Sequence, residues 1–195
     1  MQTTNTQKKQ TEKLAFMALL TALVAVLSYF GGFIKIGGLA SISLTLIPVV
    51  LGSAIYGPLA GAWLGGVSGA VFFMTADAAF WLGLSVFGTI LTVMVKGIMA
   101  GLCAGFVYKL FEKKNQYVAV IASAIVAPVV NTGIFLVGCM LFFVDTVNAG
   151  AAGAGMSVGA YLIIAFVGLN FVFELLANIV LSPAIYRVLN IKKKF

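Results

Sequence analysis

Apolar residues in this chain come in long runs instead of alternating with polar ones. Uncharged stretches cover residues 14–34, 36–76, 78–95, 118–144 and 149–173. A helix needs about 20 apolar residues to cross the hydrocarbon of a bilayer. Divided at their proline, glycine and polar breaks, the runs predict six spans: 14–33, 43–56, 58–75, 84–111, 117–144 and 158–189. The second is short, about one-half to two-thirds of a crossing at 1.5 Å per residue. It meets the third at Tyr56-Gly57-Pro58, where proline suits the first turn of a new helix. The expected fold is an all-α membrane protein, a compact six-helix bundle over residues 14–189. Polar tails flank it at 1–13 and 190–195, and the whole of 1–195 is expected to be one integral membrane domain. No second domain and no inverted repeat of the kind seen in many secondary transporters is visible.

Within the third run a glycine recurs at every fourth position: Gly57, Gly61, Gly65 and Gly69 in "GPLAGAWLGGVSG". Gly97, Gly101 and Gly105 repeat the spacing in "GIMAGLCAG". Each glycine costs a helix roughly 0.5–1 kcal/mol relative to alanine. Residues four apart share a helix face, and in membranes a bare face lets backbones approach closely. Both ladders are therefore expected to be helix-packing surfaces.

Composition agrees with a lipid environment. Of the 195 residues, 62% are hydrophobic and 9% charged, with mean hydropathy +1.14, where a soluble domain carries about 25% charged residues. The net charge of +7 is not a nucleic-acid signature, because the basic residues gather beside the apolar runs. They form three clusters: Lys8, Lys9 and Lys13; Lys109, Lys113 and Lys114; Arg187 with Lys192, Lys193 and Lys194. Six spans place all three on one side, which the positive-inside rule makes cytoplasmic together with both termini. Connections at 35–42, 76–83 and 145–157 then face outward, the last a Gly/Ala-rich stretch expected to be a flexible loop. Residues 14–30 lack a small-residue cleavage site and are expected to be a retained first span. Cys103 and Cys139 lie in apolar segments and there is no histidine, so both cysteines are expected to be packing residues and no metal or cofactor is anticipated.

Polar side chains inside spans are costly and mark cavities or helix contacts. They are few: Lys96, Asn131, Asn170, Glu174 and Asn178. Lys96 and Glu174 form either a structural ion pair or, for Lys96, a cation offered to an anionic ligand. Asn131 follows Pro128, which frees backbone carbonyls, so it satisfies them or contacts a ligand. Asn170, Glu174 and Asn178 share a helix face, as interhelical glue or as a binding wall. In "TADAAFWLG", Asp77, Phe80 and Trp81 are either an interfacial aromatic belt or a cover over an apolar pocket. No catalytic constellation and no phosphate-binding loop is present, so the chain is not expected to be an enzyme.

The chain resembles the substrate-binding S components of energy-coupling factor (ECF) vitamin transporters. The likeness rests on "MALLTALVAVLSYF", with Ala18 and Ala22 in an Ala-xxx-Ala element, and on "SLTLIPVVLGSAIYGPLAGAWLGGVSG". It extends to "KGIMAGLCAGFVYKLFEKKN" with its basic end. The resemblance implies a subunit of the bacterial cell membrane that captures a vitamin outside and delivers it inside. Its partners would be a transmembrane coupling subunit and two ABC ATPases, with Ala18 and Ala22 on the coupling interface. By overall pattern, including "APVVNTGIFLVG", the likeness is nearest to pantothenate members. Lys96 would then suit the carboxylate, and Asn131 and Asn170 the hydroxyl and amide groups. The alternatives are a member for hydroxymethylpyrimidine or another vitamin precursor, a stand-alone carrier or channel lined by Lys96 and Glu174, and a purely structural subunit.

Overall fold

The computed structural model describes residues 2–31 and 44–192. The described residues are helices, turns and short connections, with no strand. In chain order the helices are α1 (Gln2–Gly31), α2 (Leu46–Tyr56), α3 (Pro58–Phe72), α4 (Ala76–Leu84), α5 (Val86–Phe111), α6 (Gln116–Phe142), α7 (Val144–Gly153) and α8 (Val158–Tyr161). A π-helical segment (Leu162–Val167) then leads into α9 (Gly168–Lys192). The connection expected at 35–42 and the terminal 193–195 lie outside the described residues.

Among the described residues, four helices are long and apolar enough to cross a membrane, or up to six spans if each of two bent pairs counts as one. α2, with 11 residues, rises only about 16 Å and does not span alone. Side chains that would be stranded in water, such as Leu59 (81% exposed) and Leu110 (72%), are suited to lipid.

Three expectations need correction. The 76–83 connection is not an open loop but the helix α4, folded back from α3 at 84°. Asp77 in its first turn and its alanines favour that helix, and Trp81 anchors it in the core. The Gly/Ala-rich stretch at 145–157 is helical as far as Gly153. Burial of Val147 and Ala151 outweighs the glycine cost there, since tertiary packing supplies most helical stability. The expected last span is interrupted: α8 and the π-helical turn precede Gly168, whose φ of +31° starts α9 afresh.

α5 is the central helix, packed along α3 on one side and α6 on the other. The α3–α5 contact is backbone on backbone. A Cβ built on Gly65 would fall on the Gly97 carbonyl, and one on Gly97 would fall on the Gly65 carbonyl. Gly61 and Gly101 repeat the arrangement, Gly69 lies over the Val93 carbonyl, and Gly105 abuts Pro58. Gly57 differs, since it lies in the α2–α3 turn at φ +91°, a conformation that favours glycine. Across α5 and α6, Ser123 donates to the Ala104 carbonyl at 2.9 Å, the interhelical hydrogen bonding that membranes favour. α1 packs chiefly on α3 and α2, through Leu20 and Val24 against Val49 and Leu64. Its Ala18 and Ala22 face outward.

Candidate functional site

A cavity of about 120 Å³ lies toward one end of the bundle. It is framed by the ends of α1 and α3, the starts of α2, α5 and α9, the α4 helix and the second half of α6. Basic residues converge on the other end. Lys13 stacks over the Tyr56 ring at 5.6 Å, and the Lys109 ammonium lies beside Gly57 in the α2–α3 turn. The cavity therefore opens away from the basic pole.

Six of the eight residues singled out in the sequence line this one space: Asp77, Trp81, Lys96, Asn131, Asn170 and Glu174. They come from four helices, so the convergence is tertiary. Lys96 is ten residues into α5, roughly 15 Å from its start. It is half-buried and lines the cavity. Its ammonium is 5.1 Å from the centre of the Phe135 ring and 5.8 Å from that of Phe72, and ring faces attract a cation by about 0.5–2 kcal/mol. The Glu174 carboxylate interacts with it electrostatically. Glu174, Asn170 and Asn131 are all at least nine-tenths buried, so the charges and amides form one enclosed polar pole.

The aromatic pair is split. On the α4 helix consecutive side chains diverge by about 100°. Trp81 turns inward, edge-on to Phe135 (5.4 Å) and Phe143 (5.1 Å). Phe80 is 54% exposed and does not line the cavity. The Thr89 hydroxyl donates to the Trp81 carbonyl at 2.7 Å and so pins α4 to α5. Asn178 does not line the cavity; its amide donates to the Glu174 carbonyl one turn earlier in α9 at 2.8 Å, a bond within its own helix. Cys139 packs in the core with Trp81, Phe143 and Val147, and Cys103 is half-buried in α5.

Sequence reasoning passed over the hydroxyl groups on the cavity wall: Ser28, Thr45, Ser68, Thr89, Thr92 and Thr132. Single serines and threonines are ordinary in membrane helices and usually bond their own backbone. Only the fold shows that Ser28, Thr45 and Ser68, spread over 41 positions of the chain, meet at one place.

Residues 12–189 match the family model for the ECF transporter, substrate-specific component. The chain is also 27% identical to the pantothenic acid transporter PanT of Lactococcus lactis subsp. cremoris, over 92% of this chain and 94% of that one. No solved structure matches it.

Proposed function

The chain belongs to the family of ECF transporter substrate-specific components, and on that premise we propose that it captures pantothenate in the cavity described above. It is a multi-pass membrane protein and the substrate-binding subunit of a vitamin transporter. Pantothenate is an amphiphile with a carboxylate, an amide and two hydroxyls. The single observation that carries the reading is the enclosed pole in which Lys96 faces Glu174 beside Asn131 and Asn170. An ammonium over two aromatic rings can take the carboxylate, and buried amides can pair with the ligand's amide. The likeness to PanT points to the same vitamin.

The proposed sidedness follows from charge. The basic pole faces the cytoplasm, so both termini are inside and the cavity opens outward in the plasma membrane. Drive comes from partners, a coupling subunit and two ATPases. The exposed small-residue face of α1 at Ala18 and Ala22 is the docking surface for the coupling subunit. A second reading, capture of hydroxymethylpyrimidine, draws on Trp81, Phe72 and Phe135 in the cavity wall, which suit a flat ring.

A melting screen of the purified chain against vitamins tests these readings, because a ligand bound only by the native state adds about 2.7 kcal/mol at a hundred times its Kd. Pantothenate should raise the melting temperature. A shift with hydroxymethylpyrimidine and none with pantothenate would replace the substrate. Uptake by the chain alone in liposomes would refute the division of labour.

A further inference from the structure

Ser28, Ser68 and Thr45 belong to α1, α3 and the turn before α2, and all three line the cavity. Their hydroxyls are joined in sequence. Ser28 donates to Ser68 Oγ at 2.9 Å, and Ser68 donates to Thr45 Oγ1 at 3.2 Å. None of the three was needed to account for a carboxylate or an amide. They come from elements other than those that carry the charged pole, which has Lys96 on α5, Asn131 on α6, and Asn170 and Glu174 on α9. α1 and α3 pack together, whereas Asn131, Asn170 and Glu174 come from α6 and α9, which pack on each other.

We propose that Ser28, Ser68 and Thr45 form a second subsite that hydrogen-bonds the alcohol end of the ligand and so fixes its orientation. Each hydroxyl has one proton and two lone pairs. The two internal bonds use the protons of Ser28 and Ser68 and leave lone pairs on both oxygens. A chain of hydroxyls can also run its protons in the reverse sense, which leaves a proton at the Ser28 end. An alcohol, donor and acceptor at once, completes the chain in either sense. A carboxylate only accepts, so it gains from one sense alone and has the stronger partner in Lys96. The two poles therefore sort the two ends of an amphiphilic hydroxy acid, with the apolar wall of Leu46, Val49 and Val93 alongside its alkyl centre. An aliphatic acid without hydroxyls would cover the chain and add no hydrogen bond to it, and discrimination against missing hydroxyls rests on that difference.

This subsite rests on the pantothenate reading, and one experiment separates the two. The purified chain is titrated with pantothenate and with N-(3,3-dimethylbutanoyl)-β-alanine, which keeps the amide, the branched carbon and the carboxylate but lacks both hydroxyls. The wild type should prefer pantothenate by about tenfold or more, the loss of one or two hydrogen bonds. Ser68→Ala, which removes the middle of the chain, should bring that ratio toward one, and Ser28→Ala should lower it. Ser68→Thr, which keeps a hydroxyl, should restore it. Panthenol, in which the carboxylate is replaced, should lose as much affinity in Ser68→Ala as in the wild type. If the hydroxyls only tie α1 to α3, the alanine variants melt earlier and keep the wild-type ratio, and the subsite is overturned. Equal binding of the two acids by the wild type overturns it as well. Failure of pantothenate to bind at all overturns the vitamin assignment, and the subsite with it.

Discussion

Lys96→Met removes a charge and little else. Methionine keeps an unbranched, flexible chain that packs well against aromatic rings, so the contacts with Phe72 and Phe135 survive in apolar form. What disappears is the partner for a ligand carboxylate. Hydrogen bonds to charged groups are worth about 1.5–3 kcal/mol, so pantothenate affinity should fall roughly ten- to a hundredfold. The same change takes away the cation that interacts with the 5%-exposed Glu174, and removing one member of a buried pair is destabilising. Stability and affinity would then fall together. Lys96→Met/Glu174→Gln separates them, because it also neutralises the carboxylate. Calorimetric titration and a melting curve on each variant give the two quantities independently. The double variant should regain melting temperature without regaining affinity. Wild-type affinity in Lys96→Met would refute the argument, and so would full recovery of binding in the double variant, since either outcome makes Lys96 a counter-ion for Glu174 alone.

Gly65→Ala should destabilise the chain by about 1–3 kcal/mol, the usual cost of overpacking, because the new methyl falls on the Gly97 carbonyl; an unchanged melting temperature would deny the backbone contact. Ala18→Trp and Ala22→Trp should reduce co-purification with the coupling subunit and ATPases and leave pantothenate affinity of the isolated chain nearly unchanged. Equal loss of both would make the α1 face internal packing. For topology, in a background of Cys103→Ala/Cys139→Ala, an impermeant thiol reagent should label Asp145→Cys from outside and Lys113→Cys only from inside. The opposite sidedness would refute the orientation.

The helical character of the chain was legible because lipid demands long apolar runs, and residues such as Lys96 and Glu174 stood out against that background. Their meeting in one cavity was implicit in their rarity, since polar groups in hydrocarbon must find each other or a wet space. Breaks within the runs were harder to read. "TADAAFWLG" and "DTVNAGAAG" look like loops by their glycine, asparagine and charge, yet they fold as α4 and α7. Trp81 and Val147 bury themselves in a shared aromatic core, which joins segments 66 residues apart in the chain. The split between Phe80 and Trp81 follows directly from reading that stretch as helix. The hydroxyl chain had no local signature at all, because serine in a membrane helix carries no contrast until its neighbours in space are known.

The two kinds of glycine contact in this bundle have different genetic consequences. At Gly52 and Gly138 an added methyl would meet a side chain, Leu64 and Thr92 respectively. Trimming that neighbour makes room, so a selection for restored transport should recover second-site revertants at 64 or 92. At Gly65 and Gly97 the obstacle is the partner's carbonyl, which no substitution can shorten. Damage there has no compensating partner in the genome, and reversion at the same codon is the direct remedy. The α3–α5 crossing is thus a place where change in one helix cannot be answered by change in the other.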